Sequence, residues 1–182
     1  MNDTVADSLN ANAMPAWLLG ELRSDQAGET GAVAIYQGIL WASKDEEIRR
    51  FAEHHLRTEQ SHLRKINAVI PAKSRSHLLP LWRAAGFVTG ALPSLFGARA
   101  IYATIAAVET FVDEHYLQQI ERLDRENLFP TLRALLADCR EDELHHKQEA
   151  EQALGSLSHP VLRAWCRVVD FGSRAAVAIE RR

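Results

Sequence analysis

The 182-residue sequence has only two cysteines, Cys139 and Cys166, far apart and in no Cys-x-x-Cys pattern. That argues against a thiolate metal site and against a disulfide framework. Both read as small buried hydrophobes. Neither sign of charge dominates: 21 basic and 24 acidic residues give a net charge of −3. Without a strong cationic field, nucleic acid is a poor default partner. Met1 to Met14 contains Asp3 and Asp7 but no Arg or Lys. A secretory signal and an Arg-rich transit peptide are therefore not expected, and residues 1–14 read as a flexible N-terminus. Strand signals are missing too, with no long alternating β-branched runs and no Asn-Gly or Asp-Gly turn. What remains is 47% hydrophobic and 25% charged, a globular composition rather than a disordered one. The length suits a single domain over 15–182.

Helical spacing fills that domain. Leu18, Leu22, Ala32, Ile35 and Ile39 predict a helix over about 17–42. Lys44-Asp45 marks a break, and Ile48, Phe51, Leu56, Leu63 and Ile66 predict a second helix over about 46–69, ended by Pro71. A third is expected over about 98–123, a fourth over about 127–153, and a C-terminal fifth over about 161–180. Gly155 and Pro160 separate the last two. Four long helices with a long crossover between the second and third predict an all-α, ferritin-like four-helix bundle. A plain up-down bundle is the alternative, but the stretch between Pro71 and Arg99 is far longer than a tight turn needs.

The crossover, residues 78–98, reads LLPLWRAAGFVTGALPSLFGA and carries one charge, Arg83. Its length permits a membrane-spanning helix, against which stand Pro80, Pro93 and Arg83. A buried core helix is a second reading. The favoured one is an amphipathic, apolar segment lying in a membrane interface, with Trp82, Phe87 and Phe96 inserted.

Two Glu-x-x-His motifs, Glu59 to His62 and Glu143 to His146, fall mid-helix on the second and fourth helices. Residues three apart share one helical face, so each pair can grip one metal ion. Each motif alone is weak. The other two long helices each offer a lone carboxylate among small or apolar neighbours, Glu29 in AGETGA and Glu109 in IAAVETFV. An unpaired charge there is expensive to bury. Together the six residues form the ligand set of dimetal carboxylate bundles. Four carboxylates would repel one another or take up protons without cations. Oxygen-rich ligands with one imidazole per ion suit iron or manganese. Such a site forbids a spanning crossover, because the second and third helices would then lie on opposite sides of a bilayer.

These motifs resemble the demethoxyubiquinone hydroxylase (Coq7-type) family. The resemblance runs from about Leu22 to the C-terminus, through LRSDQAGE, EQSHL, LPLW, AVE with His115-Tyr116, and DELHH. Gln26 stands where family members often have His. The resemblance implies two iron ions bridged by Glu59 and Glu143, with Glu29 and Glu109 terminal and His62 and His146 each holding one iron. His145, spaced from Asp142 as His146 is from Glu143, is a rival ligand, and His54 and His55 read as surface residues. Tyr116 lies seven residues after Glu109 and reaches toward the site. Asp25 and Asp113, each four residues from a ligand, are expected to orient metal-bound histidines.

The resemblance further implies a monooxygenase that hydroxylates the ring of a polyprenyl demethoxyubiquinone in ubiquinone biosynthesis, with O2 and two electrons from NADH. No Gly-rich dinucleotide fingerprint is present. The implied location is peripheral, on the cytoplasmic face of a bacterial inner membrane, as a homo-oligomer or beside other ubiquinone-biosynthesis proteins. Two rivals stand: a ferritin- or rubrerythrin-like iron oxidase, which leaves the apolar crossover unexplained, and a metal-free quinone-binding protein, which leaves Glu109 unexplained.

Overall fold

A computed structural model describes residues 14–157 and 159–182. The flexible N-terminus expected over 1–14 lies outside the described residues except for Met14, whose side chain is buried. The elements are α1 (Ala16–Ala42), α2 (Glu46–Val69), a 3-10 turn (Ala72–Ser74), α3 (Leu79–Ser94), α4 (Ala98–Glu126), α5 (Pro130–Leu154) and α6 (Pro160–Glu180). There is no strand among the described residues. α1, α2, α4 and α5 form the bundle. α1 packs on α2 and α4 on α5, α3 lies along α1, and α6 covers α4 and α1.

Local chemistry sets the breaks. Asp45 caps α2 by accepting from the amides of Glu47 and Ile48, satisfying two N–H groups that otherwise lack partners. α4 runs three residues beyond the expected end, and α5 begins at Pro130 rather than 127. Asn127 takes the left-handed conformation that terminates a helix, and Pro130 presets the first turn of the next.

The crossover is one 16-residue helix, about 24 Å long at 1.5 Å per residue. No helix among the described residues is long and apolar enough to cross a membrane, which removes the spanning alternative. α3 is not a core helix either. One face meets α1 through glycines: a Cβ on Gly86 would run into the carbonyl of Gly31, and one on Gly90 into that of Ile35. The opposite face leaves Leu81, Val88, Leu92, Leu95 and Phe96 exposed.

The bundle core is divided in two. One apolar cluster gathers Ile35, Tyr36, Ile48, Phe51, Ile101, Ile105 and Leu154. The other gathers Leu18, Leu22, Ile66, Tyr116, Ile120, Leu132 and Leu136. Each bundle helix contributes to both clusters, and between its two contributions stands an acidic residue: Glu29, Glu59, Glu109 or Glu143. Apolar packing above and below thus holds a polar layer at mid-depth, where water is excluded.

Candidate metal centre

The six side chains expected as ligands converge in this layer, none more than 4% exposed. Glu29, Glu59, His62 and Glu143 form one group, and Glu59, Glu109, Glu143 and His146 a second. Within each group the donor atoms lie within 4.8 Å of one another. Glu59 and Glu143 belong to both. His62 Nδ1 lies 3.0 Å from Glu143 Oε1. His146 Nδ1 lies 3.2 Å from both Glu59 Oε1 and Glu143 Oε2.

Two tyrosines close the layer reciprocally. Tyr116 of α4 donates to Glu29 of α1 at 2.5 Å, and Tyr36 of α1 donates to Glu109 of α4 at 3.3 Å. Each tyrosine stands seven residues after the other's acceptor, Tyr36 after Glu29 and Tyr116 after Glu109. The sequence reading found Tyr116 but not Tyr36, although the same seven-residue spacing pointed to it.

The donor set fits cations. Glu29 Oε2, Glu59 Oε1, Glu143 Oε2 and His146 Nδ1 are buried with no hydrogen-bond partner. Each such atom costs about 1–3 kcal/mol, and here all four belong to residues of the two donor groups. Burial, followed by the neighbouring carboxylates, pushes the carboxyls of Glu29 and Glu109 well above the usual range. Burial opposes ionisation of Glu143 as well, but the His146 and His62 imidazoles standing beside it outweigh that and hold its carboxyl at about 2. Protons and imidazolium charges thus stand in for the positive charge the layer calls for.

The neighbours divide differently from the sequence expectation. Asp25 does not orient a ligand histidine; its Oδ1 accepts from His115 Nε2 at 2.9 Å and Gln119 Nε2 at 2.7 Å. Asp113 turns toward α5 and pairs with Arg140 at 2.7 Å. The residue that does brace a histidine of the candidate centre is Asp142, whose Oδ2 lies 3.0 Å from His62 Nε2. His145 and His54 are exposed. His55, expected at the surface, is fully buried against the ring of His146, with centroids 4.1 Å apart. It lies four residues before Glu59 on the inward stripe of α2, which the doubled histidine in the sequence obscured. Burial first, and then the charge of His146, holds its imidazole down at about 3.

A cavity of about 370 Å³ reaches Glu29, Glu59, Glu109 and Glu143 between α1, α3, α4 and α6. Its other walls are largely apolar, among them Trp82, Phe111, Trp165 and Val168. Trp82 is half-buried there, its indole donating to Glu180 Oε1 at 2.5 Å. Phe87 is half-buried beside Trp41, and Phe96 is exposed. The contribution of α6 was not legible in any motif.

The family model described as "Ubiquinone biosynthesis protein COQ7" matches residues 16–180. A 3-demethoxyubiquinol 3-hydroxylase of Rhodospirillum rubrum is 34% identical over 186 residues, covering 98% of this chain and 85% of that protein. A mitochondrial NADPH-dependent 3-demethoxyubiquinone 3-hydroxylase of Dictyostelium discoideum is 31% identical over 168 residues, covering 88% of this chain and 75% of that one. The Rattus norvegicus protein of the same name is 30% identical over 165 residues, covering 88% and 76%. With its whole helical domain matched and its buried carboxylate–histidine layer in place, the chain belongs to the COQ7 family of ubiquinone biosynthesis proteins.

Proposed function

We propose that this chain is a di-iron monooxygenase that hydroxylates the ring of a demethoxylated polyprenyl quinol, using O2 and two electrons. The reading is carried by one observation, two overlapping ligand groups at the end of an apolar cavity. Glu59 and Glu143 would be shared by the two ions, with Glu29 and His62 completing one set and Glu109 and His146 the other. Bound iron would supply the oxygen chemistry. The rest falls to the chain. Tyr116 and Tyr36 hold protons against Glu29 and Glu109. The apolar walls keep water from the ring and the ligands. Names of the eukaryotic relatives point to a reduced nicotinamide donor, NADPH rather than the NADH suggested by sequence resemblance.

The substrate class suggests where the protein works. A polyprenyl tail stays in a bilayer, so the enzyme must come to it. The exposed apolar residues of α3, together with Val168 and Phe171 of α6, belong to two helices that wall the cavity. Peripheral attachment through that face would let the ring enter while the tail remains in lipid. In a bacterial cell this is the cytoplasmic face of the inner membrane.

The deciding experiment loads wild type and Glu109→Ala with Fe(II) anaerobically, then adds O2, reductant and a demethoxyquinol. About two ions per wild-type chain, a deficit in the variant and a product heavier by one oxygen atom are expected. A folded wild type that takes up no metal overturns the reading. So does a fully loaded protein that leaves the quinol unchanged.

A further inference from the structure

The layer lies deep, and the cavity beside it is a poor path for a hydrated dication, because its largely apolar walls offer few groups to replace the lost water. A different set of side chains leads out of the layer on the α2–α5 side. His55 of α2 lies one turn from Glu59, and Glu149 of α5 one turn from His146. The His55 ring abuts the His146 ring, 4.1 Å between centroids. Its Nε2 lies 3.1 Å from Glu149 Oε2, and that carboxylate is 43% exposed. Neither residue lines the cavity.

Two features of His55 are unexplained by packing. Its side chain is 0% exposed, and neither ring nitrogen has a hydrogen-bond partner; the approach to Glu149 lacks hydrogen-bond alignment. A phenyl ring would satisfy the surrounding aromatic contacts with Phe51 at 4.3 Å and Tyr36 at 5.7 Å equally well, without leaving polar atoms dry. An imidazole differs from phenyl in its lone pair, which borderline divalent cations bind.

We propose that Glu149 and His55 form a capture site for a divalent transition-metal ion, through which metal passes from solvent to His146 and the buried layer. This rests on the dimetal reading. Glu149 draws the hydrated ion, His55 replaces one of its waters, and the adjoining His146 with Glu59 replaces more. Dehydration is thereby divided into steps, each with a ligand ready.

The test follows anaerobic uptake of Co(II) by the metal-free full-length protein, through the visible absorption of the bound ion. Wild type is compared with Glu149→Gln and with His55→Phe, which keeps an aromatic ring. Both variants are expected to load about tenfold more slowly, at the low end of what local charge contributes to ion capture, and to reach the wild-type endpoint. Loading at the wild-type rate overturns the proposal, as does slowing in only one folded variant. An endpoint that falls together with the rate also overturns it, since His55 would then support the centre itself. Should His55→Phe misfold, the rate of Glu149→Gln decides, because that side chain is half-exposed. A wild type that binds no Co(II) removes the dimetal reading and the capture site together, an outcome distinct from unchanged rates.

Discussion

Asp142 Oδ2 and His62 Nε2 stand 3.0 Å apart, while Glu143 Oε1 stands 3.0 Å from the other nitrogen of the same ring. Consecutive residues of α5 thus hold both nitrogens of an imidazole on α2. With Asp142 accepting from Nε2–H, Nδ1 is the nitrogen that faces the carboxylates and that, on losing its proton, would offer a lone pair to a cation. Asp142→Asn keeps the shape and removes the charge that fixes the tautomer. We expect metal affinity to fall by about 10–100-fold, read by titration with Fe(II) or Co(II). Stability of the metal-free protein should change by less than about 1 kcal/mol, since Asp142 is half-exposed. His145→Gln, at an exposed position, should leave the titration unchanged.

This pairing marks the boundary of what sequence could reveal. Glu29 and Glu109 were legible because an acidic residue among small or apolar helical neighbours is too costly to bury without purpose, and Glu59 and Glu143 because each heads a Glu-x-x-His motif. His62 and His146 followed from a spacing of three. The same spacing joined Asp142 to His145 and made His145 a rival, which its exposure sets aside. On one helix those two share a stripe, but only the rotation of α5 against α2 sends Asp142 across to His62. Asp25 and Asp113 fail for the same reason: their partners, His115 and Arg140, sit on α4 and α5 at distances no single-helix pattern encodes. The fold was more legible because breaks such as Asp45, Pro71, Gly155 and Pro160 are local, although the break set by Asn127 and Pro130 falls a few residues beyond its expected place.

Glu59 and Glu143 belong to both donor groups, whereas Glu29 and Glu109 each belong to one. Removing a shared ligand should therefore cost more than removing a terminal one. Metal analysis of Glu59→Ala should find both ions lost. Glu29→Ala should keep the ion held by Glu109 and His146. Equal losses in the two variants would contradict a shared ligand.

The metal-free protein should weaken as the solution turns alkaline. Burial alone would lower the histidine values, but the surrounding carboxylates, Glu143 first, raise His62 to about 10 and His146 to about 11 from an ordinary 6.5. The native state then holds protons that the unfolded chain has released. That stabilisation is complete below pH 6.5 and is lost as pH rises through 10 to 11. Glu29 and Glu109, also raised, act in the same direction. Melting temperatures recorded from about pH 7 to about pH 10 should fall steadily without metal. Bound cations take the place of those protons, so the loaded protein should show a flatter profile.

Gly90 faces the carbonyl of Ile35, and a Cβ there would collide with backbone rather than with a movable side chain. Gly90→Ala must push α3 off α1, at about 1–3 kcal/mol. Gly172, exposed within α6, has nothing within 4 Å of its ideal Cβ. Gly172→Ala should stabilise the protein by about 0.5–1 kcal/mol through helix propensity. Urea midpoints moving in opposite directions would verify that the glycines of α3 serve close approach.

Leu81 of α3, Leu95 just after its C-terminal end and Phe171 of α6 are 54%, 69% and 74% exposed, and both helices wall the cavity. If this face enters a bilayer, each large side chain contributes about 1.5–3 kcal/mol on leaving water. Replacing one by Asp should then reduce partition into phosphatidylcholine–phosphatidylglycerol vesicles by about tenfold or more. Phe87 is a poorer probe, because it packs beside Trp41 and a charge there would disturb the fold. Unchanged sedimentation with vesicles would assign the face to something other than lipid. A water-soluble quinol with a short tail needs no membrane. Variants that lose the vesicles yet still hydroxylate it would separate docking from chemistry, and place the exposed faces of α3 and α6 in delivery of the substrate alone.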